Sequence, residues 1–405
     1  MAITDKEKGV WGLDQVYNKI NQGSIWQYSS NISGLMAWGK NYAGLLGQID
    51  TTQRSSPVQI PGTTWQYLSH TSGSNDTSHV FATRTDGTLW TWGWNNTGGL
   101  GLNNRTSYSS PIQVPGEWDG QNMIVSGQSS FGIKTDGTLW AWGKNESGYG
   151  RLGLNNKTSY SSPAQIPGTT WSQIDANGMA TMATKTDGTL WTWGNSNVGQ
   201  LGLNGPVNTN FSSPKQVPGT TWSISDKQMS GGNNWQTAIK TDGTLWVWGY
   251  NNNGQLGQGE VGTGAGGLGG AKSSPVQVGS ETTWSKIIST NGGAAAIKTD
   301  GTLWVWGSNQ NGLLGQNQAP AQLAALSSPT QITGTTWANV QTTKQSIIAV
   351  KTDATMWSWG YNSNGQLGID NTTAYSSPTQ IAGDWKQGVG QLGSTEFGFM
   401  AIKLV

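Results

Sequence analysis

The chain has 405 residues, a formal net charge of +1, 60 Gly, 24 Trp and no Cys. Its charged residues make up only 11%, against roughly 25% in an average globular domain. The lack of Cys excludes a disulfide framework, a thiolate zinc site and a Cys nucleophile, and the near-neutral charge argues against a nucleic-acid partner, which requires phosphate neutralisation.

In chain order, residues 1–33 read as a short arm. Its first ten residues, MAITDKEKGV, lack the apolar core of a signal peptide, and no apolar run in the chain is long enough to cross a membrane as a helix. Membrane insertion is therefore not expected. Leu13, Val16 or Tyr17, and Ile20 share one face of a short helix that Gly23 would stop, with Trp11 and Trp26 on either side. Such an arm either packs on its own domain or anchors the chain to a neighbour. The anchoring reading uses Trp11, Leu13, Val16, Tyr17, Ile20 and Trp26.

From residue 34 to residue 405 one unit recurs. Trp-Gly pairs fall at Trp38, Trp92, Trp142, Trp193, Trp248, Trp306 and Trp359, spaced 50 to 58 residues apart. Behind each of them comes Gly-x-Leu-Gly, then Ser-Ser-Pro, then a Trp after a short turn, so that every mark counts to seven. Each unit predicts four short strands: one ending Lys-Thr-Asp, a hairpin turn at Asp-Gly, Leu-Trp-x-Trp-Gly, a strand at Ser-Ser-Pro, and a Trp-led strand. Asp-Gly between alternating apolar runs predicts a type I′ turn. The two Trp of Leu-Trp-x-Trp are two residues apart and point to one face. Each indole offers on the order of 200 Å², more than a lone unit of this size can hide, so neighbouring units must pack against each other.

The termini choose a ring over an open array. The first unit lacks the strand ending in Lys-Thr-Asp, while the chain finishes with FMAIKLV, whose Ala401-Ile402-Lys403 matches Ala238-Ile239-Lys240. The C-terminus is expected to supply the missing strand. The prediction is all-β: a seven-bladed β-propeller of four-stranded blades, residues 34–405, closed by pairing of N- and C-terminal strands so that no sheet edge is left exposed.

The stretch TAIKTDGTLWVWGYNNNGQLG (237–257) resembles the regulator of chromosome condensation repeat, and seven such copies imply that family's seven-bladed propeller. The family's founding member is a nucleotide exchange factor for a small GTPase and binds chromatin. This chain departs from its pattern: it has no Cys, only His79 lies near the usual Cys-Gly…His position, and the acidic and loop insertions tied to exchange are not found. Residues 6–28, KEKGVWGLDQVYNKINQGSIWQY, are similar to N-terminal segments of tailed-bacteriophage virion proteins. That resemblance implies a virion location after synthesis in the host cytoplasm.

No catalytic constellation assembles. His70 and His79 are too few for a metal site, and no nucleophile elbow, zinc-protease or phosphate-loop motif occurs. Asp86, Asp136, Asp187, Asp242, Asp300 and Asp353 are turn residues spread around the ring. The expectation is a non-enzymatic protein without cofactor or metal. One face should carry the Asp-Gly and Pro-Gly turns, and the other all the length variation. On that second face Trp94, Tyr108, Tyr149, Tyr160, Phe211, Tyr250, Tyr361 and Tyr375 stand among Asn, Ser and Thr. They are candidate contacts to other virion proteins or to a host glycan or protein, or plugs for their own blades. The first reading is a tail or fibre adhesin or a capsid decoration protein; a free bacterial scaffold follows, and nucleotide exchange comes last.

Overall fold

The computed structural model describes residues 33–404 apart from 70–78, 146–147, 177–178, 263–269 and 389, so the arm residues and His70 lie outside it. Seven antiparallel four-stranded sheets form the blades. Blade 6 shows the plan: Trp284–Ser289 innermost, then Gly293–Lys298, Leu303–Ser308 and, outermost, Ala325–Ile332. Innermost strands touch their counterparts in adjacent blades all the way round, which makes a propeller.

Blade 1 is the closure. Its order from the inside is Leu392–Thr395, Gly398–Leu404, Ser33–Gly39 and Arg54–Ile60. Pairings such as Leu35 with Ile402 and Ala37 with Met400 join the two ends of the chain. The C-terminus therefore supplies two strands, one more than FMAIKLV alone suggested.

Three expectations need correction. The Trp-led strand belongs to the following blade, because Trp284 pairs with Lys298, not with the Ser-Ser-Pro strand before it. The Pro-Gly turn is thus the link between blades. The hairpin turn is not type I′: Arg84 accepts from Gly87 N–H and donates to Thr88, enclosing Thr85, Asp86 and Gly87, and only Gly87 has positive φ (81°). This is a three-residue loop with a bulged Gly. In blade 7 the same position is Ala354, held at φ 68°. Finally, closure does not remove sheet edges, since each outermost strand keeps one. All seven carry the Pro of Ser-Ser-Pro, from Pro57 to Pro378, a residue suited to an unpaired edge.

The core is divided into seven clusters, each shared by two neighbouring blades. One combines Ile288, Ile297, Leu303 and Leu314 of blade 6 with Trp337, Ile347 and Trp359 of blade 7. Another closes the ring, with Ile348 and Met356 of blade 7 against Trp38 and Phe399 of blade 1. Burial thus lies between blades, as the indole surface required.

Candidate functional site: the two faces of the ring

The repeated motif builds two devices. Trp306 is fully buried and donates from Nε1 to the Gln255 carbonyl of blade 5 at 2.9 Å. The same bond recurs at every interface, from Trp92 to Leu45 (2.8 Å) through Trp38 to Gln366 (2.9 Å), which closes the circle. The acceptor loop is shaped for this by a buried Asn. Asn251 Oδ1 accepts from Leu256 N–H, and its Nδ2 donates to the Glu260 carbonyl.

The second device sits at the Thr-Asp-Gly turn. Asp242 Oδ1 accepts from the Thr244 hydroxyl at 2.6 Å and from its N–H at 3.0 Å, while Thr244 Oγ1 accepts from Trp246 Nε1 at 2.8 Å. The Thr244 hydroxyl, then its N–H, with Lys240 a lesser influence, hold the Asp242 carboxyl below the usual range. Lys240 Nζ lies 3.9 Å from the Trp246 ring centroid and 5.1 Å from that of Trp222, a cation between two indoles. Six blades repeat this, with Arg84 in place of the Lys in blade 2, and each Asp, Thr, cation and Trp is engaged with its own blade. The motif is structural.

The buried titratable groups are also engaged. His79 Nε2 is 2.6 Å from Ser130 Oγ, whose hydroxyl donates to the Gly99 carbonyl at 2.7 Å. Since that hydroxyl's proton is used, the His79 Nε2–H donates to it. Burial pushes the His79 pKa down to about 3, so the imidazole is neutral. Gly99 stands where the other blades carry Leu, Arg or Gln, and a Cβ there would lie 2.7 Å from His79 Cε1. Lys227, at φ 57°, reaches past blade 6 to Asn339 Oδ1 (2.9 Å) and the Val340 carbonyl (3.0 Å) of blade 7. Burial lowers its pKa to about 8, opposed by Asp226. This brace between blades 5 and 7 has no counterpart in the repeat and was not foreseen.

Of the carboxylates outside the repeat, Glu281 meets Lys298 at 2.5 Å, Glu260 meets Lys272 at 3.2 Å, and Asp119 accepts from Asn122 at 2.8 Å. Among the described residues no group of three or more His, Asp or Glu could hold a metal ion.

The face opposite the Thr-Asp-Gly turns has different chemistry. Innermost and second strands are joined there by tight tips, among them Asn233-Asn234, Asn291-Gly292 and Lys344-Gln345. Residues leaving the third strands lie beside them: Tyr250 N–H donates to the Asn234 carbonyl and Tyr361 N–H to that of Gln345. The tips of blades 5 to 7 enclose a cleft of about 170 Å³ whose walls are mostly side-chain amides.

The eight candidate aromatics are all half-buried and do not converge. Tyr108, Tyr160, Phe211 and Tyr375 open outermost strands opposite Gly93, Gly143, Gly194 and Gly360, on the rim. Tyr149 lies in the long loop of blade 3, and Trp94 follows the third strand of blade 2. Tyr250 lines the cleft, and Tyr361 packs 5.9 Å from Phe397. Sequence reasoning missed the cleft amides because an aromatic is conspicuous among Asn and Ser, whereas one Asn among many is not. The only available signal was the pair of turn residues at each tip.

The regulator of chromosome condensation (RCC1) repeat model matches residues 86–126, 136–183, 187–235, 242–295 and 353–394. The ultraviolet-B receptor UVR8 of Arabidopsis thaliana is 28% identical over 235 residues, 56% of this chain and 51% of that protein. The E3 ubiquitin-protein ligase HERC2 of Homo sapiens is 25% identical over 371 residues, 88% of this chain and 7% of that protein. The chain thus spans about half the length of the first and a small part of the second. Among solved structures, Prp20p from Saccharomyces cerevisiae superposes with a TM-score of 0.77 at 17% identity, covering 92% of this chain and 91% of that one. Human WBSCR16 gives 0.72 at 16%, covering 92% and 98%. These structural likenesses concern the fold alone. With its repeat model matching more than half of the residues, the chain belongs to the regulator of chromosome condensation repeat family.

Proposed function

We propose that this protein is a non-enzymatic binding platform carried on a tailed-bacteriophage particle, as a tail or fibre adhesin or a capsid decoration. The ring is the rigid scaffold, and the face opposite the Thr-Asp-Gly turns is the docking surface. The observation that carries the docking reading is the separation of constant from variable chemistry. The repeated polar groups bond to their own blade or to the next, whereas the unrepeated loops and the amide cleft lie together on the other face. Support for protein docking as a mode of action comes from Prp20p, described with its binding to Gsp1p and histones and crystallised with Kap60. The virion location rests on the resemblance of residues 6–28.

The test is assembly of particles with a chain lacking residues 1–33. The shortened protein is expected to be absent from purified particles while the full chain is retained. Normal incorporation overturns the anchoring role. A free protein-interaction scaffold is the second reading, favoured by the same likeness to Prp20p, and accelerated nucleotide release from a small GTPase would replace both.

A further inference from the structure

We propose that the amide cleft between blades 5, 6 and 7 is a binding site for an uncharged saccharide. This rests on the reading of that face as a docking surface and names the chemistry of its ligand.

Three consecutive hairpin tips build the cleft, and their backbone is tightly set. Thr290 N–H donates to the Gly293 carbonyl at 2.7 Å, Thr343 N–H donates to that of Ser346 at 2.9 Å, and Asn234 turns at φ 64°. Part of the wall is locked. Gln255 Oε1 accepts from Asn253 N–H at 2.8 Å, and Asn252 Oδ1 accepts from Asn253 Nδ2 at 3.3 Å. Among the described residues, the side-chain amides of Asn233, Asn291, Gln310 and Gln345 form no hydrogen bond within the protein, and all four line the cleft. Each offers a carbonyl acceptor and two N–H donors on one short arm. A sugar ring requires that pairing, because each of its hydroxyls donates one bond and accepts others.

Charge and shape narrow the class. Among the described residues no carboxylate lines the cleft, and its one cation, Lys344, has Glu396 Oε1 at 3.7 Å. An anionic ligand would find that charge already countered. A peptide segment would need a buried apolar or aromatic anchor pocket, and among the described residues the only ring at the wall is that of Tyr250. One flat phenol beside several amides offers a surface for the C–H face of a pyranose, with polar groups around it. The cleft is also unrepeated: in register with Asn291-Gly292 and Lys344-Gln345, the tip of blade 3 carries Gly127-Gln128 and that of blade 1 Glu396-Phe397. The ring should therefore hold one such site.

The test uses the full chain with glucose, galactose, mannose and N-acetylglucosamine at millimolar concentration, and N-acetylneuraminic acid as the anionic probe. Binding is read by saturation-transfer NMR and calorimetry. At least one neutral sugar is expected to bind, and Asn291→Leu and Gln345→Leu are each expected to weaken it about tenfold, one hydrogen-bonding partner's worth. Both variants should melt with the parent, and Gln59→Leu on the outermost strand of blade 1 should bind as the parent does. Three outcomes overturn the inference: no neutral sugar binds, the Leu variants bind unchanged, or the anionic sugar is preferred. If no sugar binds but the protein still joins particles through residues 1–33, the saccharide site falls and the proposed function stands. If a sugar binds at the cleft and the shortened chain joins particles normally, the site stands and the anchoring role falls.

Discussion

The two faces of the ring come from the same four-strand unit and differ in what their residues touch. On the Thr-Asp-Gly face, six turns repeat one bond set, with Asp Oδ1 to Thr Oγ1 at 2.6 to 2.7 Å throughout. On the other face the tips diverge, from Asn233-Asn234 in blade 5 to Asn291-Gly292 in blade 6 and Lys344-Gln345 in blade 7. The boundary even runs through single loops. Residues 251–257 of blade 5 tuck against blade 6 and keep the repeat, with the Gln255 carbonyl bound to Trp306, while 258–271 hold the glycine-rich insertion. Constraint follows contact: the segment that seats the next blade keeps its Asn and its Gly-x-Leu-Gly in all seven copies, whereas a segment that meets only solvent is free to specialise.

The most severe way to break this arrangement is at its seam. Deleting residues 397–405 removes the strand that pairs Ser33–Gly39 and is expected to abolish cooperative unfolding and cause aggregation. An unchanged melting profile would mean that the ring does not depend on closure. Next comes the interface Trp. Trp306→Ala should cost about 3–5 kcal/mol in denaturant titrations, while Trp306→Phe should cost about 1–3 kcal/mol, because it leaves the buried Gln255 carbonyl without its donor. Equal effects of the two would show that the bond contributes nothing beyond packing.

His79 gives a pH test of a residue outside the repeat. Its folded pKa of about 3 lies below the ordinary histidine value of 6.5, so the stabilisation is fully present above pH 6.5 and is lost as pH falls towards 3. The slope is about 1.4 kcal/mol per pH unit within that window. His79→Gln should flatten the acid limb of the stability curve measured by denaturant titration at each pH. A limb of unchanged slope would assign it to other groups.

Smaller effects separate the faces most sharply. Thr244→Val removes the hydroxyl shared by Asp242 and Trp246 and should cost about 1 kcal/mol. Ala354→Gly should add roughly 1 kcal/mol, because Gly adopts the turn's positive φ without the strain of a Cβ. On the opposite face, Asn291→Leu should change stability by no more than about 0.5 kcal/mol while weakening ligand binding. A large stability loss there would place the tips in the scaffold rather than the docking surface.

Much of this is legible in the order of the residues. The Trp-Gly register counts the blades, the alternation in Leu-Trp-x-Trp puts both indoles on one face, and the match of residues 401–403 to 238–240 locates the seam. Blade phase is not legible, because a Trp-led strand between two turns reads the same at the end of one sheet or the start of the next. The turn type is misread because Asp-Gly alone does not say whether Thr85 is inside the loop. Among the candidate aromatics, four prove to be rim residues, since sequence spacing does not report distance from the axis.

By itself, then, the sequence determined the repeat number, the strand pattern and the closure. These are periodic or local properties, set by side-chain alternation, turn chemistry and the need to hide indole surface. Only the tertiary structure decided which strand lines the axis, which Trp is wholly buried, how Lys227 braces blades 5 and 7, and that amides from three blades meet in one cleft. Each of these depends on groups from different blades being brought within a few ångströms, and the closed ring sets those distances.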